Sequence, residues 1–172
     1  MRLKKIVSIF LVVFSVLVSV QPAFAQAGPI EWTYYDDATG DRDCRSILTT
    51  EFTSDSAYAR IDSNGNSYCY GQVWGETYVE NISQVTFNWS FFVDDPYCNV
   101  EIQAYTDSPY STDFYLYEDT NSGNDDFSGD GSHTIQLPPG YTGKVSFYIS
   151  VDVAKYPATR SVSASIHNIT FQ

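Results

Sequence analysis

The chain has 172 residues, with 21 acidic side chains against nine basic ones and two histidines. A formal charge of −12 argues against a partner that presents phosphates, so nucleic acid is excluded as a ligand class. Hydrophobic residues make up 43% and aromatics 16%, enough for one ordinary domain with a real core.

Residues 1–25 read as a secretory signal peptide. Arg2, Lys4 and Lys5 precede an uncharged apolar run of 15 residues, Ile6 to Val20. Gln21-Pro22 breaks the run, and Ala23-Phe24-Ala25 has the small-x-small pattern of a cleavage site. The run is shorter than the roughly 20 residues that span a bilayer. Cleavage after Ala25 would leave a single domain, 26–172, secreted or at the cell surface, with no membrane insertion of the mature chain. Its formal charge would fall to −15, because the leader holds three basic residues and no acidic one.

After the leader the pattern is that of strands, with Tyr, Phe, Thr, Val and Ile at period two. The expected strands are 30–35, 45–52, 56–61, 67–73, 84–93, 99–106, 112–118, 131–137, 144–153 and 161–171. Two alternate cleanly. Val85, Phe87, Trp89, Phe91 and Val93 share one side of 84–93. Val145, Phe147, Ile149, Val151 and Val153 share one side of 144–153. Turn residues separate the strands, among them Asp94-Asp95-Pro96, Ser108-Pro109 and Pro138-Pro139-Gly140. In the last strand the apolar positions change parity between Ile166 and Ile169, which predicts a bulge near His167-Asn168. The fold class expected is all-β, an antiparallel β-sandwich of jelly-roll type.

Three stretches carry a family resemblance: Asp130-Gly131-Ser132-His133-Thr134-Ile135-Gln136-Leu137, then Gly140-Tyr141-Thr142-Gly143-Lys144-Val145-Ser146-Phe147, then Ile166-His167-Asn168-Ile169-Thr170-Phe171. Together they resemble the C-terminal part of the galactose-binding-like jelly rolls found in many carbohydrate-binding modules. Ser132-His133 stands where those modules tend to place a tryptophan, and His167 where they tend to place an aspartate. The resemblance implies a jelly roll and, as an expectation, a carbohydrate ligand.

If successive strands alternate in direction, the connections sort onto two ends. One end gathers 12 of the 21 carboxylates, from Asp36 to Asp130. Close like charges repel unless a cation lies among them, and hard oxygen ligands in extracellular loops suit calcium. Asp36, Asp37, Asp41 and Asp94 are the candidate calcium ligands; hydrated acidic loops are the alternative. Cys44, Cys69 and Cys98 fall near the same end, and an exported chain favours a disulfide. Cys69 with Cys98 is the pairing expected, though the spacing leaves the others open.

Tyr105 and Tyr148 share the parity of Glu101, Gln103, Ser146 and Ser150, so both are expected to face outward. A sheet face of tyrosines offers flat π surfaces with hydroxyls, which can stack on the C–H face of a sugar ring. Trp74 and Tyr141, placed in loops at the other end, form a second candidate patch. Cross-strand aromatic packing is the competing explanation. Three Asn-x-Ser/Thr sequons begin at Asn81, Asn88 and Asn168. There is no G-x-S-x-G, H-E-x-x-H or P-loop motif, and His133 and His167 read as structural. The expected function is a secreted, non-catalytic module that binds extracellular polysaccharide or glycoconjugate through Tyr105, Tyr148, Trp74 and Tyr141. The alternative is a self-associating matrix, filament or coat protein whose segment 26–35 adds to a neighbour's sheet edge.

Overall fold

The computed structural model describes residues 25–39, 48–63, 68–94, 97–107, 113–119, 127–154 and 159–172, with backbone alone at 37–39 and 119. These residues form strands β1 (Gln26–Ala27), β2 (Glu31–Thr39), β3 (Leu48–Phe52), β4 (Ala57–Ser63), β5 (Tyr68–Val93), β6 (Cys98–Thr106), β7 (Phe114–Asp119), β8 (Phe127–Val153) and β9 (Arg160–Phe171). The leader lies outside the described residues. Among the described residues no helix is long and apolar enough to cross a membrane.

All strand pairs are antiparallel, and they link into one nine-stranded network. Its organising element is the ladder between β5 and β8, which are 26 and 27 residues long. A straight strand of that length would measure about 85 Å at about 3.3 Å per residue, several times the radius of a domain this size. The ribbon therefore folds over. Its register shifts between Val79, Ile82 and Gln84, opposite 136–143. Asn81 (φ 56°) and Gly140 (φ 77°) supply left-handed backbone at the fold. Glycine takes that conformation without a Cβ penalty.

The fold-over makes two sheets from one ribbon. In the first, β2, the 68–79 half of β5, the 143–153 half of β8, β6 and β7 lie side by side. In the second, β3, β4, β9, the 84–93 half of β5 and the 127–136 half of β8 do the same. Side chains from the two sheets meet between them. Phe87 of the second sheet packs edge-on against Phe147 of the first at 5.9 Å and against Phe114 at 5.4 Å. Val73, Val100, Ile102, Val145, Ile149 and Val151 line one wall of the core. Ala59, Ile61, Val85, Ile135, Val162 and Ile166 line the other. Trp32 lies flat across Gly75 of the neighbouring strand, where a Cβ would sit 2.3 Å from the indole ring. The indole reaches Phe147 and stacks on Phe52 of the opposite sheet, closing that side of the sandwich.

The expected antiparallel sandwich is thus present, and several details differ from expectation. Segments 74–83 and 138–143 are not loops. They are the folded middles of β5 and β8. The bulge in the last strand is present, with Asn168 at φ 55° and a shifted register against Thr86 and Asn88. The Cys69–Cys98 bridge does not form: Cys98 is a buried thiol outside any disulfide. Both residues are register partners of Val153, one on each side of β8. Two strand spacings separate them by about 9.5 Å, beyond the reach of a disulfide. Cys69 is disulfide-bonded; the remaining cysteine of the sequence, Cys44, lies outside the described residues. The segment assigned to a neighbour's edge is already paired in its own chain, Gln26 and Ala27 with Glu80 and Val79, and Glu31–Thr39 with Tyr68–Glu76.

Candidate ligand-binding face

The first sheet has a solvent side built by strand alternation. Register partners across its five strands fall into rows. One row runs Thr33, Trp74, Tyr148, Gln103, Tyr115. The next runs Tyr35, Gln72, Ser150, Glu101, Tyr117, and beyond it Tyr70, Asp152 and Asn99 lie side by side. On the other flank Glu31, Glu76, Ser146 and Tyr105 form a fourth row.

Height varies across these rows. Ser146 and Ser150 on the central strand are 2% and 7% exposed although they point outward, because taller neighbours flank them. The aromatics on either side stand in solvent: Trp74 is 42% exposed and Tyr35 56%, facing Tyr115 at 64% and Tyr117 at 48%. The face is a trough with a polar floor and two aromatic walls. From β5 to β7 the walls stand three strand spacings, about 14 Å, apart.

Hydrogen bonds fix the floor. The Tyr148 hydroxyl lies 3.0 Å from the Tyr70 hydroxyl and accepts from the Gln72 amide. The edge of one ring meets the face of the other between Tyr148 and Trp74, with centroids 6.3 Å apart. Asn99 donates Nδ2 to both Asp152 oxygens at 3.1 Å, and Gln103 donates to Glu101. Burial, helped by the bond to Tyr148 and the charge of Glu101, pushes the Tyr70 phenol well above its ordinary value, so it stays a neutral donor at any physiological pH. At the fold-over end the trough opens into a cleft of about 300 Å³ between Gly28, Pro29, Glu31, Glu76, Thr77, Tyr78 and Lys144. Lys144 is bound there to Glu76 at 3.1 Å.

Trp74, Tyr105 and Tyr148 therefore come together on one face. Trp74 does so from a strand and not from a loop. Tyr141 does not join them. It sits at the fold, its single hydroxyl hydrogen shared between Asp107 and the Lys144 carbonyl. Burial and the Asp107 carboxylate raise its phenol well above the usual value. Of the other face residues, Tyr35 and Gln72 were not singled out by the sequence, and Tyr115 and Tyr117 stood on a strand whose phase it left open. Gln72 continues the alternation of Tyr70, Trp74, Glu76 and Tyr78, and that signal was available. The other three reach the face through long-range pairing.

The strand termini confirm the sorting of connections. Thr39, Tyr68, Val153, Cys98 and Asp119 end the first sheet together, and Ser63, Arg160, Val93 and Phe127 end the second. Of the candidate calcium ligands, Asp36 follows the parity of Trp32 and Tyr34, and the Asp94 amide donates to Ser161 at 2.8 Å. Asp41 and the Asp37 side chain lie outside the described residues. Among the described residues no three His, Cys, Asp or Glu side chains group around a common point. His133 packs against Phe87 and Phe114 inside the sandwich, whereas His167 lies on the solvent side of the same sheet beside Ser165.

No family model matches the chain, and no curated protein matches it. Solved structures do. The chain is similar to TmCBM61, solved in complex with β-1,4-galactotriose, at 10% identity and TM-score 0.42, over 82% of this chain and 87% of that one. It is similar at 9% identity and TM-score 0.32 to a structure from a study of promiscuous carbohydrate-binding modules of the β-sandwich superfamily. That match covers 81% of this chain and 56% of that one. A third is the enzymatically active domain of tailspike protein 4 from bacteriophage CBA120, at 12% identity and TM-score 0.36, over 81% of this chain and 19% of that one. All three likenesses are at very low identity, and the reading of the trough rests on this chain's own side chains.

Proposed function

We propose that the chain is a secreted, non-catalytic module that binds extracellular polysaccharide or glycoconjugate along the trough of its first sheet. One observation carries this reading: exposed Trp and Tyr rings stand on both sides of a floor of Gln, Ser, Asn and Tyr polar groups. A sugar ring has an apolar C–H face that stacks on aromatic rings. Its hydroxyls both donate and accept, which suits amides, hydroxyls and carboxylates side by side. Trp74 and Tyr148 supply the central stacking surfaces; Gln72, Gln103 and Glu101 supply the polar contacts; Tyr105 extends the face on its flank. A structural calcium ion at the loop end, with Asp36, Asp37, Asp41 and Asp94 as its ligands, belongs to the same reading.

Affinity electrophoresis of residues 26–172 through gels containing soluble polysaccharides tests it, in calcium and in EDTA. Retardation by at least one glycan is expected. The double variant Trp74→Ala/Tyr148→Ala is expected to lose about 2 kcal/mol, roughly thirtyfold in affinity, as for anchoring aromatics at other interfaces. Retardation of the double variant equal to wild type would remove the trough as the site. A melting temperature unchanged by EDTA would remove the calcium ion.

A further inference from the structure

The trough also carries a charge pattern. Among the described residues its acids are Glu31, Glu76, Glu101 and Asp152, and its one base, Lys144, is bound to Glu76 in the cleft at the fold-over end. Glu101 occupies the centre of the floor, between Ser150 and Tyr117. Its hydrogen-bond donor there is the neutral Gln103 amide, which leaves the carboxylate charge in place. That charge is felt across the floor at Tyr70. A ligand lying in the trough passes over Glu101.

We propose that this face selects its glycan by charge, taking neutral chains and excluding those that carry uronate or sulfate groups, and that Glu101 is the specificity-determining residue. The inference rests on the glycan-binding reading above and names the substrate class for the same trough. A carboxylate on the ligand brought within a few ångströms of Glu101 meets repulsion of about 1 kcal/mol in a watery site, roughly fivefold in affinity. The repulsion falls as salt is added. A neutral sugar hydroxyl at the same place donates to Glu101 instead, a charge-assisted hydrogen bond.

The test is affinity electrophoresis of residues 26–172 against two sets of polysaccharides. The neutral set is hydroxyethyl cellulose, xyloglucan, galactan and mixed-linkage β-glucan. The anionic set is carboxymethyl cellulose, polygalacturonate, alginate and a sulfated galactan. The expected result is retardation by a neutral member and none by its charged counterparts at low salt. Glu101→Gln and Glu101→Lys should then gain about fivefold or more toward the anionic set. Glu51→Gln, the same charge change on the solvent side of the opposite sheet, should gain nothing. Wild-type retardation by the anionic set as strong as by the neutral set overturns the charge proposal and leaves the glycan reading standing. An equal gain in Glu51→Gln, or no gain in either Glu101 variant, removes Glu101 as the deciding residue. Retardation by no member of either set overturns the glycan reading and the proposal together.

Discussion

The two solvent sides of the sandwich obey the same alternation and carry opposite chemistry. On the second sheet the outward residues of the central strands are Thr86, Asn88, Ser90, Phe92, Ser161, Ser163, Ser165 and His167. Their hydroxyls bind one another or a neighbour: Ser90 to Ser165 at 2.8 Å, Thr86 to Thr134 at 3.1 Å, Ser161 to Asp62. Apart from Phe92, 37% exposed, and His167 these side chains are short, so that side offers fewer rings and less relief than the first sheet. On the first sheet the outward residues are large, and two serines sink between them. Both sides keep the sheets wet on one face and dry on the other, so folding alone does not require Trp74, Tyr35, Tyr115 and Tyr117 in solvent. The difference is what favours the first sheet as the ligand face in the proposed reading.

That contrast can be broken experimentally. The largest effect after removal of the central pair is expected from Tyr105→Ala combined with Tyr115→Ala. It should weaken glycan retardation roughly tenfold with little change in melting temperature, since both rings lie outside the core. A matched pair on the other side, Ser163→Ala with Thr86→Ala, should leave retardation unchanged. Equal losses from the two pairs would mean that binding does not depend on the trough.

A smaller effect is expected at high pH. Tyr70 in the folded chain titrates above the value near 10 that it has when unfolded. Its contribution to stability is therefore whole below about pH 10 and is lost as pH rises further, through the folded value. Tyr70→Phe should flatten the alkaline fall in melting temperature. A wild-type and variant pair that fall in parallel would refute the buried phenol. The smallest effect belongs to the second sheet. There Arg60, bound to Asp62 through Nε at 2.8 Å, holds that carboxyl below its ordinary range, with help from Ser161. The stabilisation exists above about pH 4 and disappears as pH falls through the lower folded value. Both side chains are about half exposed, so Asp62→Asn should cost less than about 1 kcal/mol at neutral pH. It should not change glycan retardation.

The inward and outward sides of 84–93 and 144–153 were legible because their alternation is strict, and Val85, Phe87, Phe147 and Ile149 are fully buried as expected. Tyr148 and Tyr105 faced outward for the same reason. The stretch 68–79 was harder. Gly71 and Gly75 interrupt its apolar parity and look like turn residues, yet each leaves room for a side chain from elsewhere, Leu48 and Trp32. Those neighbours come from outside the local sequence, so the local pattern shows only a gap. Tyr35 was hidden, and Tyr115 and Tyr117 left open, for a related reason. They sit on the flanking strands, and only the pairing of distant segments puts them opposite one another. The disulfide failed on the same point, since the insertion of β8 between β5 and β6 is a fact of topology.

The folded ribbon of β5 and β8 has a kinetic consequence. Cys69 and Val153 are register partners although 84 residues separate them, and even Val93 and Phe127 lie 34 residues apart. Such pairings close large loops before any packing offsets the lost entropy, which places the chain among slow, high-contact-order folders on the millisecond-to-second scale. Because the ribbon supplies two adjoining strands to each sheet, half a sandwich has no framework of its own. Assembly of the trough must then coincide with formation of the opposite sheet, so that the floor and both aromatic walls arise together rather than in stages.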